Sequence, residues 1–129
     1  MRSTRHTTTI ALIVATFSVT SASAWATTWH VNVGDPNGHA FTPKTLNISA
    51  GDAVIWTNGG GFHSVLSDPG AVTNFTSGAA SSSAWSLTVT FPTPGTIGYH
   101  CIIHGTPGQG MFGTINVTVP VDLQSFEID

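Results

Sequence analysis

Apolar and polar residues alternate along almost the whole chain. In Trp29-His30-Val31-Asn32-Val33 every second residue is apolar. Leu46 and Ile48 alternate with polar neighbours, and Val54-Ile55-Trp56 follows the turn pair Gly51-Asp52. Trp85-Ser86-Leu87-Thr88-Val89-Thr90-Phe91 is the cleanest case, with four large apolar residues on one side and hydroxyls on the other. Ile115, Val117 and Val119 repeat the pattern against Thr114, Asn116 and Thr118. Period two over five to seven residues predicts half-buried β-strands. No window carries a sustained helical period. Asp35-Pro36-Asn37-Gly38 and Pro94-Gly95 read as turns. The small, polar stretch Ser77 to Ala84 reads as a flexible surface loop. Short strands at this spacing predict an all-β sandwich or barrel. Alternation places Trp29, Trp56 and Trp85 in the core. It turns His30 and His100 outward, and His39 falls in a solvated loop.

The first residues break this pattern. Arg2 and Arg5 precede a short apolar run from Ile10 to Val19, and Ala22-Ser23-Ala24 and Ala24-Trp25-Ala26 are small-residue cleavage sites. This is the layout of a secretory signal peptide, so residues 1–24 are expected to be removed, with cleavage after Ala24 or Ala26. The run is too short to span a bilayer. What remains is a single domain over 25–120 and a tail, 121–129, to which no role is assigned. The expected location is exported, either periplasmic or extracellular. Without Arg2 and Arg5, Lys44 is the only basic residue against six acids. A nucleic-acid interface needs a Lys/Arg patch to neutralise phosphates, and an anionic membrane would repel this chain, so neither nucleic acid nor membrane insertion is expected.

The chain has one cysteine. An exported protein with a single Cys cannot close an internal disulfide, and its thiol is exposed to oxidation unless something protects it. The surroundings supply a reason. Cys101 sits in Tyr99-His100-Cys101-Ile102-Ile103-His104-Gly105-Thr106-Pro107-Gly108-Gln109-Gly110-Met111, and His63 lies upstream after a glycine run. Two His and one Cys with a weak axial Met form the ligand set of a blue-copper site holding one copper ion. Strand alternation aims Cys101 and Met111 at the core face and leaves His104 on the loop between them, Ile102 to Gly110. Four donors, His63, Cys101, His104 and Met111, are thereby expected at one pole of the sandwich. Soft thiolate and imidazole ligands serve both Cu(I) and Cu(II), and a thioether favours Cu(I).

From about Phe41 to Val119 the chain resembles the plastocyanin/pseudoazurin/amicyanin group of cupredoxins. Phe41-Thr42-Pro43 with Leu46, Ile48, Gly51-Asp52, Val54, Trp56 and Asn58 is similar to the group's approach to its first ligand. Phe75-Thr76-Ser77-Gly78 and Phe91 to Tyr99 are similar to its middle. Cys101-x-x-His104 with Met111 and Gly113-Thr114-Ile115 is similar to its ligand loop. The resemblance implies a cupredoxin-like Greek-key β-sandwich of about eight strands. It also implies His63, Cys101 and His104 as strong ligands of a type 1 copper and Met111 as the axial one. The function it implies is that of a monomeric one-electron carrier, exchanging electrons with donor and acceptor redox proteins through the exposed edge of His104. Three positions depart from the group. Ser64 stands where Asn often follows the first His. The spacing from His104 to Met111 is longer than in typical plastocyanins, leaving Gln109 as a second axial donor beside the favoured Met111. His100 stands where plastocyanins commonly carry Tyr.

Other functions compete with electron carriage. A copper-delivery module without a redox partner would use the same donors. The pair His100-Cys101 is similar to the His-Cys bridge of copper nitrite reductases, but Ser64 to Asp68 supply no imidazole for a second copper. A hydrolase built on Cys101 and His104 lacks any visible oxyanion or orienting motif.

Overall fold

The computed structural model describes residues 25–120, together with 11 and 13–16. The expected signal peptide falls almost wholly outside the described residues, and the 121–129 tail entirely. Among the described residues there are eight strands: β1 (Thr28–Gly34), β2 (Phe41–Thr42), β3 (Thr45–Ser49), β4 (Ala53–Gly60), β5 (Leu66–Ser67), β6 (Ser86–Thr90), β7 (Gly95–Thr106) and β8 (Gln109–Thr118). They form two four-stranded sheets, in the orders β2-β1-β4-β6 and β3-β8-β7-β5. β1 runs parallel to β4 and β3 parallel to β8, and the remaining neighbours are antiparallel. No helix among the described residues is long and apolar enough to cross a membrane. Of the sandwich or barrel that the alternation predicts, the structure is the all-β sandwich, as the family resemblance implies.

Each sheet turns its period-two apolar set inward. Val31, Val33, Val54 and Trp56 come from one sheet, and Leu46, Ile48, Ile97, Tyr99, Cys101, Ile115 and Val117 from the other; all are buried. Trp56 stacks on Phe75 with ring centroids 5.0 Å apart and meets Tyr99 edge-on at 5.3 Å. Burial pushes the Tyr99 phenol up to about 12, although the nearby Trp56 N–H pulls the other way. That N–H lies outside hydrogen-bond geometry, so Trp56 Nε1 and the Tyr99 hydroxyl are both buried without a partner. Alternation fails at the end of β8. The strand stops at Thr118 and Val119 is 70 % exposed, since among the described residues the neighbouring β3 pairs with β8 only as far as Thr118.

Asp52, immediately before β4, organises the end of the sandwich away from Cys101. Its carboxylate accepts from the Thr27 N–H (2.9 Å), the Trp29 indole N–H (3.0 Å) and the Ser49 N–H (3.0 Å). This joins the start of β1 and the end of β3 to β4. Burial alone would raise the Asp52 pKa, but the three donors outweigh it and hold the carboxyl below its ordinary value. An Asn side chain has one acceptor oxygen and cannot serve all three donors.

Asp52→Asn is therefore expected to cost about 1–3 kcal/mol of stability at neutral pH, read by urea unfolding. The stabilisation from Asp52 is fully present above its unfolded pKa of 3.8 and is lost as pH falls from there through the lowered folded value. The gap between wild type and variant should narrow over that acid range; a constant gap would show that the carboxylate charge is not the stabilising element.

Candidate metal centre

Cys101 and His104 are set in place by an interruption in a β-ladder. β7 and β8 pair as far as His100↔Phe112 and resume at Gly105↔Gly110 and Thr106↔Gln109. Cys101, Ile102, Ile103 and His104 bulge out between these two stretches. The expectation that Cys101 ends a strand and that 102–110 is an irregular loop is corrected by this arrangement. β7 runs on to Thr106, and a Pro107-Gly108 turn leads directly into β8. The extra residues between His104 and Met111 form a short hairpin, which lets Met111 return buried and inward-facing. Glycine makes this possible at two positions. A Cβ on Gly105 would strike the Met111 backbone, and a Cβ on Gly110, which has φ +67°, would strike the His104 carbonyl. Gln109 is exposed on the hairpin.

His63 follows β4 on the turn Gly60-Gly61-Phe62. Its backbone is fixed on both sides by Ser81, with His63 N–H donating to Ser81 O (3.2 Å) and Ser81 N–H donating to His63 O (3.0 Å). The Trp85 indole N–H also donates to the His63 carbonyl (3.2 Å). The Asn58 amide donates to the carbonyls of Gly61, Ser81 and Ser83. The stretch 77–84, expected as a flexible surface loop, is thus a brace for the His63 turn. Trp85, read from alternation as core alone, is half-buried and has this second role. A half-buried indole needs a partner for its N–H, and that requirement was the signal available in the sequence. A Cβ on Gly34 would come within 2.7 Å of the His63 ring, so the ring can lie against β1 only because that position has no side chain.

The three donors converge. His63 Nδ1 and His104 Nδ1 face each other at 3.1 Å, and His104 Nδ1 lies 3.7 Å from Cys101 Sγ. All three donor atoms fall within 4.8 Å of one another. Donors that each bind one ion at about 2.0–2.3 Å sit roughly 3–4 Å apart, so the spacing fits a single ion. Two imidazoles and a thiolate are soft enough for copper. Burial, then the neighbouring His104 and His39 rings, lower the His63 pKa, with the Gly60 carbonyl acting the other way. Burial and then His39 lower that of His104. Both rings are thereby biased to the neutral form that a metal ligand requires. Among the described residues, His63, Cys101 and His104 are the only such group of three or more His, Cys, Asp or Glu.

The neighbouring positions clarify the departures noted in the sequence. Ser64 is fully buried. Its hydroxyl accepts the Ile102 N–H (3.1 Å) and lies 3.9 Å from Cys101 Sγ, so it ties the His63 segment to the bulge. His100 does point away from the core, yet it is only 8 % exposed rather than solvated, because Asp68 covers it. His100 Nδ1 and Asp68 Oδ1 are 2.6 Å apart. His39 is exposed as expected, but its ring is not free: it stacks on His104 with centroids 3.7 Å apart and planes 17° from parallel.

Known proteins resemble this chain in sequence and in fold. The family model described as copper binding proteins, plastocyanin/azurin family, matches residues 28–118. A plastocyanin of Prochlorothrix hollandica is 36% identical over 117 residues, covering 84% of this chain and 86% of the relative. The solved oxidised plastocyanin of Dryopteris crassirhizoma matches with TM-score 0.56 and 29% identity, over 69% of this chain and 99% of its own. A copper-containing nitrite reductase of Thermus scotoductus matches with TM-score 0.58 and 26% identity over 72% of this chain, which spans 23% of the reductase.

Ser64→Ala removes the acceptor for the Ile102 N–H. In metal-free protein it is expected to cost about 1–2 kcal/mol and to speed exchange of the Ile102 amide hydrogen by about tenfold. Ser64→Asn, which restores an acceptor, should recover most of the protection. Unchanged exchange in Ser64→Ala would show that the brace lies elsewhere.

Proposed function

Since the chain belongs to the plastocyanin/azurin family of copper-binding proteins, we propose that it is an exported blue copper protein that carries one electron at a time between redox proteins. The observation that carries this reading is the convergence of His63 Nδ1, His104 Nδ1 and Cys101 Sγ at one end of the sandwich. Bound there, copper supplies a Cu(II)/Cu(I) couple that thiolate and imidazole ligands both accommodate. The chain's own part is to hold the donors still. Ser64, Ser81, Asn58 and Trp85 fix the two segments that carry them, and donors that do not move between oxidation states keep the reorganisation small.

Met111 is the fourth ligand in this reading. Its burial at the start of β8 supports it, whereas Gln109 is exposed on the hairpin. His63 is buried and His104 is part-exposed, which makes His104 the route to the surface. Around that route Phe62, Ile102 and Ile103 are each about half exposed, at 54%, 47% and 49%, an apolar collar suited to a transient protein contact. Export follows from the signal-like residues 1–24, with the domain at 25–120. The protein is not an enzyme in this reading. The likeness to the nitrite reductase spans one portion of that protein, and no second metal-capable cluster accompanies the first among the described residues.

Titration of the metal-free domain with equimolar Cu(II) is expected to give an intense blue absorption and a narrow copper hyperfine splitting, both absent in Cys101→Ser. Met111→Gln should alter the spectrum and the potential while Gln109→Ala leaves both unchanged; the reverse pattern would make Gln109 the axial ligand. A colourless wild-type product would overturn the blue-copper reading.

A further inference from the structure

Among the described residues, His39 is the one aromatic side chain that lies flat on a donor ring without belonging to the donor group. It sits in the connection between β1 and β2, which is closed on itself. The Asn37 N–H donates to Gly34 O (2.9 Å), the Gly34 N–H donates to Ala40 O (3.0 Å), and the Asn37 amide donates to Thr42 Oγ1 (2.8 Å). A connection already ordered by its own hydrogen bonds gives up little further entropy to hold a side chain in place. The His39 ring covers one face of His104 at a 3.7 Å centroid separation and approaches the His63 ring at 81° with centroids 5.9 Å apart. His39 and His104 both line an open cleft of about 520 Å³, together with Asp35, Phe62 and His63. Of the two stacked rings His39 is the more exposed, His104 being only part-exposed.

We infer that His39 is the outer half of a two-imidazole exit: the electron path from the donor group continues through His104 into the stacked His39 ring, and His39 is the group a redox partner contacts. The purpose of this exit rests on the electron-carrier reading above; the stack itself does not. Two π systems in face contact couple electronically across the gap between them. An aliphatic side chain at the same place fills space but offers no π orbital. The step is a bare electron transfer: one electron leaves the reduced molecule and arrives on the oxidised one, no bond forms or breaks, and no proton is required to move.

Three variants separate conduction from covering: His39→Phe keeps an aromatic face, His39→Leu keeps bulk alone, and His39→Ala removes both. In the metal-free protein, NMR should find the carbon-bound ring protons of His104 shifted upfield by the stacked ring. They should move downfield in His39→Leu and His39→Ala and stay near their original positions in His39→Phe. In the copper-loaded protein, the electron self-exchange rate from line broadening in mixtures of reduced and oxidised molecules should fall by about tenfold in His39→Leu and stay near wild type in His39→Phe. Equal rates in wild type and His39→Leu would overturn the exit. A faster rate in His39→Ala would overturn it too, by making His39 a shield over His104. A wild-type protein that never turns blue would remove the electron-carrier reading and the exit with it, while the ring shifts in metal-free protein would still report the stack separately.

Discussion

Between His100↔Phe112 and Gly105↔Gly110 the β7–β8 ladder is interrupted, and the backbone groups from Cys101 to His104 must find other partners. A buried amide without an acceptor costs about 1–3 kcal/mol, so the bulge persists only if the surrounding chain satisfies it. Ser64 does part of this by accepting the Ile102 N–H. The interruption also makes chemistry possible at this point. A strand in register would send Cys101 and His104 to opposite faces of the sheet, since residues three apart alternate. The bulge breaks that parity and brings Cys101 Sγ and His104 Nδ1 to 3.7 Å.

The second donor segment is held by different means. His63 lies on a glycine-rich turn with no ladder of its own, and a turn of that kind fixes little by itself. Its position comes from outside: Ser81 on both sides of its peptide, Trp85 on its carbonyl, and Asn58 across the base of the turn. Asn58 continues the inward series Val54-Trp56 of β4, so the residue that ends the apolar row is the one whose amide gathers the loop carbonyls.

The two ends of the sandwich divide the work between them. At the Asp52 end a carboxylate pins three chain segments and no metal-capable cluster is found among the described residues. At the other end, across the eight residues of β4, or about 26 Å at ~3.3 Å per residue, the donors, the stacked His39 and the apolar collar lie together. Charge is nearly absent from the described surface. Lys44 is itself placed 3.8 Å over the Phe112 ring, and at the metal-centre end the exposed Asp35 lines the cleft beside His39 and His104.

Much of this was legible in the sequence. Strand periodicity is a local property, and Val31, Leu46, Val54, Trp56, Ile97 and Ile115 all turned inward as alternation requires. The chemistry of the site was legible because residue type limits it: a lone thiol with imidazoles nearby admits few uses. What could not be read locally depended on contacts between segments far apart in the chain. His100 is covered because Asp68 reaches it from β5's far end, and Val119 is exposed because, among the described residues, the β3–β8 pairing ends at Thr118. The loop 77–84 is a brace because His63 happens to lie across from it. His39 lies on His104 because the β1–β2 connection closes over the same pole. The sequence by itself determined most of the strands, their inward faces and the chemistry of His63, Cys101 and His104, since each follows from a residue and its immediate neighbours. Only the tertiary structure decided the spacing of the donors and the groups that hold and cover them, since those depend on which distant segments the packing of two sheets brings together.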